Sequence, residues 1–395
     1  MDSMTIHCQP AQIREEIVRR ACVIERKTDG ITTSNDTLWI EMPRLAIMPH
    51  EYDAEAFLIM ALLPAMAEGR DVQVEGAVSK RLHSNLTEFR DIWHSWNPKL
   101  FKKIEFSSSK LLEHSPSVGR EGAVAAFSGG VDSTFTIWRH KTRAAGQRSF
   151  DLRCCIMVHG FDIPLWKDEV FRRIFTRCEE TLRTLDLVLY PMRTNCRTVF
   201  TQNWEIWHGP AVAACLQMFK GVCEVGLIGS TYDSKQLTFP WGSNPVTDPL
   251  FATDGFEIIH DGIAYPRIKK ITAIMKWEAG YNSLRVCFSG IEEGIIEEGN
   301  CGKCPRCVIT LIRIQFAGLP IPGSFPGPLS AKDVLRLRPS GFYAHFWRYL
   351  LKEALVKRQR LVLILAIAWM SFSSSLALIM KKALQAAGIW EPSFN

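Results

Sequence analysis

The stretch Ala123-Val124-Ala125-Ala126-Phe127-Ser128-Gly129-Gly130-Val131-Asp132-Ser133-Thr134 decides the fold. Its apolar run has strand character and ends in Ser-Gly-Gly-Val-Asp-Ser. Helical spacing follows from Ser133 to about Ala145, with Gly146 placed to end it. A strand that delivers a Gly-rich turn onto a helix N-terminus makes a cradle for phosphate. Glycines let backbone N–H groups approach an anion, and the helix dipole favours negative charge there. Ser128 and Ser133 add hydroxyl donors. Asp132 is out of place beside a phosphate unless a divalent cation lies between them, so it is read as a helper in magnesium binding or in loop geometry. No Gly-Lys-Ser/Thr follows, and the Gly-x-Gly-x-x-Gly spacing is absent, so neither a Walker loop nor a dinucleotide turn is indicated.

Around this stretch the chain is long enough, at 395 residues, for two domains and a substantial core. Hydrophobic residues at 47% and charged residues at 22% are those of a globular protein. A net charge of +6 is mild, so a nucleic-acid partner is not indicated. Met1 to Glu16 holds no apolar core of signal-peptide length, which leads to the expectation of a cytoplasmic protein. In that compartment twelve cysteines are expected as thiols or metal ligands rather than as a disulfide framework.

Residues 1–118 read as an N-terminal α+β accessory domain. Thr37–Glu41 alternates like a strand, Asp53–Glu68 has helical spacing that Pro64 could interrupt, and Val72–Glu75 is a short strand. Leu82, Leu86, Phe89, Trp93 and Trp96 share a helical stripe, and Lys103–Phe106 would be a third strand.

From Gly119 strands and helices alternate, the mark of a parallel sheet covered on both faces, giving an α/β domain over residues 119–318. Expected strands are Ala123–Phe127, Cys154–Val158, Leu187–Tyr190 and Val225–Gly229. Ligands of open α/β sheets sit beyond the carboxyl ends of the strands, which places Ser128 to Ser133, Asp162, Asn195 and Ser230 around one cleft. The piece from Phe239 to Lys270 is expected to be a long polar loop, rich in turn formers between Gly242 and Pro249.

Cys287, Cys301, Cys304 and Cys307 form the second strong signal. Paired Cys-x-x-Cys turns aim thiolates at one point, and an upstream cysteine closes a tetrahedron. Zinc in a closed structural site is the expectation, and an iron–sulfur cluster is the alternative. Residues 319–395 are expected to be a Pro-rich linker and a C-terminal helical extension. Leu361 to Met380 runs without a charge between Arg358-Gln359-Arg360 and Lys381-Lys382. Its length admits a membrane span, but its four serines favour a buried or partner-binding helix, so a membrane partner is not expected.

The Ser-Gly-Gly-x-Asp-Ser turn resembles the signature of the PP-loop ATP pyrophosphatases, which cut ATP between its α and β phosphates. Together with the late four-cysteine cluster, it resembles the QueC family of 7-cyano-7-deazaguanine synthases. The stretches His159–Asp162, Thr194-Asn195, Trp207–Gly209, Gly242–Pro245, Asp248-Pro249 and Asn300–Cys304 look like a longer QueC-like subgroup found in anti-phage operons, QatC among them. The likeness covers roughly residues 119–316. It implies an adenine nucleotide α-hydrolase-like fold, ATP and Mg2+ at the phosphate loop (Ser128, Gly129, Gly130, Val131, Asp132 and Ser133), and Zn2+ on the four cysteines. It implies a carboxylate substrate, 7-carboxy-7-deazaguanine or a relative, that is adenylated and then coupled to ammonia or to an amine of a protein partner from a defence operon. A site that releases pyrophosphate needs cations near the departing charge, which nominates Arg267 and Lys270. Asp162, Asn195, Ser243 and Asp248 are candidates to read the nucleotide or a purine-like base. Housekeeping QueC is shorter and lacks both flanking regions, which leaves the final product open. Two other readings stand beside this one: an ATP-binding regulatory subunit without turnover, and a tRNA-modifying PP-loop enzyme.

Overall fold

The apolar runs of the first 261 residues become the strands of a single sheet of ten strands. The computed structural model describes residues 2–50, 52–113, 120–235, 240–287, 299–340, 343–357, 359 and 361–386. The expected domain start Gly119, the expected loop start Phe239, and the flanks Arg358 and Arg360 lie outside the described residues. The strands are β1 Ser3–Arg14, β2 Ile17–Thr28, β3 Ile31–Pro43, β4 Asp71–Ser79, β5 Phe106–Leu112, β6 Ala123–Ala126, β7 Leu152–His159, β8 Val188–Thr194, β9 Val225–Gly229 and β10 Glu257–Asp261. The helices are α1 Glu55–Glu68, α2 Lys80–Trp96, α3 Val131–Lys141, α4 Asp168–Arg183, α5 Cys196–Val199, α6 Trp204–Gln217, α7 Arg267–Ile274, α8 Glu278–Asn282, α9 Pro305–Phe316, α10 Ala331–Leu335, α11 Ala344–Val356 and α12 Leu361–Ala386.

The strand order is β10-β9-β6-β7-β8-β3-β2-β1-β4-β5. From β10 to β8 every neighbour is parallel. Pairing then turns antiparallel through β8–β3, β3–β2 and β2–β1, and parallel again through β1–β4 and β4–β5. The expected α/β class is met in this mixed, mostly parallel sheet. The chain divides within α7 into two compact units, Met1–Arg267 and Ile268–Asn395, and not at residues 118 and 318. The N-terminal strands do not build a sheet of their own, because β3 covers what would have been the open edge of β8. Unpaired edges invite association, so covering one is a stabilising use of the N-terminal hairpin strands.

Three further expectations are corrected. The β1–β2 hairpin is unannounced in the sequence, because charges interrupt its alternation and Arg20 sits in it with 1% exposure. Arg20 is satisfied there by the carbonyls of Pro49 and Asp53. The stretch from residue 240 to Lys270 is not a loop throughout, since β10 forms the sheet's edge and Asp248–Phe251 makes a short 3-10 turn. The Pro-rich stretch is not a free linker: Pro320 accepts from Tyr281 Oη at 2.6 Å, Gly323 N donates to Asn282 Oδ1 at 3.0 Å, and Asn300 Nδ2 donates to the carbonyl of Ser324 at 3.3 Å.

Helix α1 is buried on nearly every side, from Glu55 to Met66. Its interior Pro64 lacks an N–H, which leaves the carbonyl of Met60 without its helical partner. Trp207 of α6 supplies the missing donor, with its indole N–H 2.9 Å from that oxygen. The helix therefore continues through Pro64 to Gly69, whose φ of +71° closes it in the left-handed conformation. Lys220, just past α6, pairs with Asp53 and Glu55 at the start of α1. Burial works against its charge, but the two carboxylates outweigh that and hold its pKa above the usual lysine value. Trp207→Phe keeps most of the packing volume and orphans the Met60 carbonyl. It is expected to lower stability by about 1–3 kcal/mol in denaturant titration, with the secondary structure unchanged.

Candidate functional site

Strand β6 is followed in the sheet by β7 and β8 on one side and by β9 on the other. Between β6 and β9 the connections therefore leave in opposite directions, which opens a crevice beyond their carboxyl ends. The Ser-Gly-Gly-Val-Asp-Ser turn lies at that crevice. Gly129 takes φ +72°, a conformation that a side chain disfavours, and Gly130 precedes the first turn of α3. At the end of β9, a Cβ on Gly229 would lie 2.8 Å from the carbonyl of Asp132, so only glycine lets the first turn of α3 sit this close.

The loop is held by its own hydroxyls. Ser133 Oγ accepts from Ser128 N at 3.3 Å and donates to the Gly130 carbonyl at 3.2 Å. Ser128 Oγ lies 3.4 Å from both Ser133 Oγ and Gly130 N. These bonds fix the curvature that turns backbone N–H groups toward an anion. Val131 points inward, at 2% exposure. Arg267, the first residue of α7, donates from Nη2 to Asp132 Oδ2. The two residues nominated separately, one for magnesium and one for pyrophosphate, thus form an ion pair at the helix start. Lys270 belongs to the other compact unit and is buried, with 1% exposure.

Beyond the loop, the structure sorts the other nominated residues. Asp162 follows β7, is exposed, and accepts from the indole N–H of Trp204 at 3.2 Å. Ser230 follows β9 and is fully buried, with its N–H on the Asp261 carbonyl at 2.8 Å. Asn195 is corrected: its Oδ1 accepts from Trp39 N at 2.9 Å and its Nδ2 donates to the Thr37 carbonyl at 2.7 Å, so its amide joins β3 to the end of β8 and reads no base. Ser243 and Asp248 are brought together, with Ser243 Oγ donating to Asp248 Oδ2 at 2.6 Å. Asp248, with 0% exposure, also accepts from Asn244 N at 3.1 Å and meets His260 Nδ1 at 2.8 Å. The turn from Trp241 to Asp248 is thereby a fixed hydrogen-bonded knot, tied to α6 through Gly242 N and the Glu205 carbonyl at 2.9 Å. A Cβ on Gly209 would meet the Gly242 oxygen at 1.9 Å, so this contact demands glycine on α6.

Several neighbours went unnominated. His260 and Asp261 are adjacent on β10 and therefore face opposite sides of the sheet. Asp261 accepts from Thr136 Oγ1 at 2.9 Å and pairs with Arg139 and with His140 Nε2 at 3.3 Å, fastening α3 to β10. On the other side His208 meets Trp241 edge to face, with ring centroids 5.3 Å apart, and burial lowers its pKa. The β-branched pair Ile258-Ile259 ahead of the turn former Gly262 was the signal that could have revealed this edge strand. Burial raises the pKa of Asp261, but His140, Arg139 and Thr136 outweigh it and hold the carboxyl below the usual range. A depressed carboxyl stabilises the fold above its unfolded pKa and loses that contribution as pH falls through the folded value. Asp261→Asn is expected to cost about 3 kcal/mol at neutral pH, and the gap from the parent should close below about pH 4 in pH-resolved thermal melts.

In the second unit, the sulfurs of Cys287, Cys301, Cys304 and Cys307 all lie within 4.8 Å of one another. Cys287 Sγ is 3.8 Å from Cys304 Sγ, and Cys301 Sγ is 3.9 Å from Cys307 Sγ. A tetrahedron with metal–sulfur bonds of about 2.3 Å has edges of roughly 3.8 Å. Local hydrogen bonds preset the knuckle: Cys301 Sγ accepts from Lys303 N at 3.3 Å and from Cys304 N at 3.2 Å. Cys304 caps α9 and accepts from Cys307 N at 3.5 Å. Gly302, at φ +69°, lies where a Cβ would meet Pro326 Cγ at 2.6 Å. The buried Asn300 joins the two halves, with its Oδ1 accepting from Val286 N at 2.8 Å and Cys287 N at 3.1 Å. Sharing a hydrogen with Cys304 pushes the Cys287 thiol up to about 12. Four thiolates so close repel one another, and a cation at their centre removes that penalty. The cluster could therefore hold a metal such as zinc.

Replacing Cys304 with Ser is expected to abolish metal in the purified chain, measured by elemental analysis. It should also open the second unit to limited proteolysis while residues 1–267 stay protected. Comparison of the chain with models of protein families, with curated proteins and with solved structures finds no match.

Proposed function

We propose that this chain is a QueC-like ATP pyrophosphatase. In this reading it adenylates a carboxylate on a deazaguanine-like substrate and passes the acyl group to a nitrogen nucleophile. The observation that carries it is the position of Ser128–Ser133 at the crevice between β6 and β9, where a nucleotide of an open α/β sheet binds.

The residues at the crevice fit the chemistry. Amides of Gly129 and Gly130 and the hydroxyls of Ser128 and Ser133 would meet the outer phosphates once they give up their bonds within the loop. Arg267 stands at the same turn, where negative charge accumulates as pyrophosphate departs. The substrate carboxylate oxygen bonds to the α-phosphorus, and the bond to the β-phosphate bridge breaks with its electron pair leaving on pyrophosphate. An amine then attacks the acyl carbon, AMP leaves on its phosphate oxygen, and the amine proton goes to solvent or to a side chain. Magnesium bound beside the loop would screen the triphosphate. The protein's own part is to hold carboxylate and phosphorus in line, which reduces the barrier without covalent help from a side chain. Asp162, exposed beyond β7, and the aromatic group of Trp204, Trp241 and His208 supply the polar and flat surfaces that a purine-like base uses.

The same reading assigns zinc, held structurally, to the four cysteines. The sulfurs are spaced for one ion, whereas an iron–sulfur cluster, which spreads the thiolates over two or four irons, needs some of them farther apart. The site has no open position for substrate and closes the second unit around α9.

Incubation with ATP, magnesium and 7-carboxy-7-deazaguanine is expected to release AMP and pyrophosphate only when the acid is present. Arg267→Ala should slow that release about 100- to 1,000-fold and leave metal content unchanged. Nucleotide binding without turnover would favour a regulatory subunit, and salt-sensitive retention of tRNA would favour a tRNA-modifying enzyme.

A further inference from the structure

Helix α12 presents its polarity inside out. Its inner face is Leu363, Ala366, Ile367, Met370, Ser371 and Ser374, all at most 7% exposed. Ser374 Oγ on that face accepts from Ser340 N at 3.3 Å. The outer face is Val362 at 66%, Leu365 at 59%, Trp369 at 55%, Phe372 at 65%, Leu376 at 47% and Ile379 at 63%. These recur at intervals of three and four, so they form one unbroken stripe along the helix. A soluble protein places such side chains inside and serines outside. A stripe of this extent marks a surface that something apolar covers.

Charge identifies the covering surface. Between Ala331 and Ala386 the sequence holds ten Lys and Arg against only Asp333 and Glu353, a net +8, so the rest of the chain is net −2. Arg348 and Lys352 are exposed on α11, and Lys381 is exposed on α12 beyond the apolar stripe. The net positive charge of the chain thus lies in the segment that carries this exposed apolar face. A second copy docked there would bring these like charges together in either orientation. Spanning a bilayer is excluded by the inner face, since a spanning helix must be surrounded by lipid or by other spanning helices. Helix α12 instead packs on the short α11, which carries Arg348, Lys352 and Glu353. Only 33% of its most apolar window, of mean hydropathy 2.2, is buried within the protein, so the rest is left for an apolar environment to cover. What remains is a helix lying in an interface, apolar face down and basic residues beside it.

We propose that the C-terminal segment binds an anionic lipid surface through the outer face of α12. Tryptophan and phenylalanine seat at the acyl boundary, and the surrounding lysines and arginines meet the headgroups.

The test uses the full chain and vesicles of phosphatidylglycerol mixed with phosphatidylcholine, or of phosphatidylcholine alone, in a flotation assay. The protein is expected to float with anionic vesicles and to bind neutral ones at least about tenfold less, with the preference shrinking at high salt. Leu365→Asp combined with Phe372→Asp should abolish flotation, with metal content and far-ultraviolet circular dichroism retained as evidence of folding. Arg348→Glu combined with Lys352→Glu should remove the anionic preference. Failure to float, equal binding to both vesicle types, or flotation of the aspartate variant would each overturn the proposal. So would a dimer in light scattering that the aspartate pair dissociates in the absence of vesicle binding.

Discussion

The first turn of α3 lies directly on the last residue of β9 with no side chain between them, and the architecture of the first unit depends on that approach. A Cβ on Gly229 would stand 2.8 Å from the carbonyl of Asp132, so any other residue drives the first turn of the helix off the sheet. The helix is then clamped one turn on by β10, where Asp261 takes Thr136, Arg139 and His140. Together these contacts set β9 beside β6 and leave the crevice between their ends open to the turn that Ser128 and Ser133 brace. Curvature in that turn is fixed by the chain's own hydrogen bonds from Ser128 and Ser133.

What was legible in the sequence was local. The strand, turn and helix around Ser128–Ser133, the strands β6 to β9, the α2 stripe and the cysteine quartet all declare themselves within a few residues. The illegible parts are contacts between distant segments. Arg20 reads as a surface residue until the carbonyls of Pro49 and Asp53 are found around it. Asn195 has the position of a ligand reader, at the end of a parallel strand. Only the pairing of β3 with β8 shows that its amide satisfies the main chain of Trp39 and Thr37. Pro64 is a helix breaker by local rule, and an indole on another helix overrides the rule.

The second unit shows the same division in another form. Spacing alone announced the cysteines, but not what keeps Cys287 within reach of the others across thirteen intervening residues. That task falls to Asn300, whose side chain hydrogen-bonds both the main chain of Val286 and Cys287 and the stretch around Ser324. The Pro-rich stretch is consequently part of the knuckle. Pro326 lies so close to Gly302 that a Cβ there would meet it at 2.6 Å, and Phe325 is buried at 7% exposure. Composition marks such a stretch as flexible, yet fixed φ angles also make it cheap to order once hydrogen-bond partners exist.

The ion pair of Asp132 and Arg267 resolves the oddity of a carboxylate in an anion cradle. Two opposite charges in contact at a partly buried helix start attract by several kcal/mol at an effective dielectric of about 20. The guanidinium that neutralises Asp132 also stands at the loop. Within the proposed reaction, an arriving triphosphate competes with Asp132 for Arg267, and a carboxylate that loses its guanidinium becomes a ligand for the divalent cation that accompanies the nucleotide. Pair exchange thus lets one aspartate stabilise the empty loop and assist the loaded one, because its charge is compensated in both states.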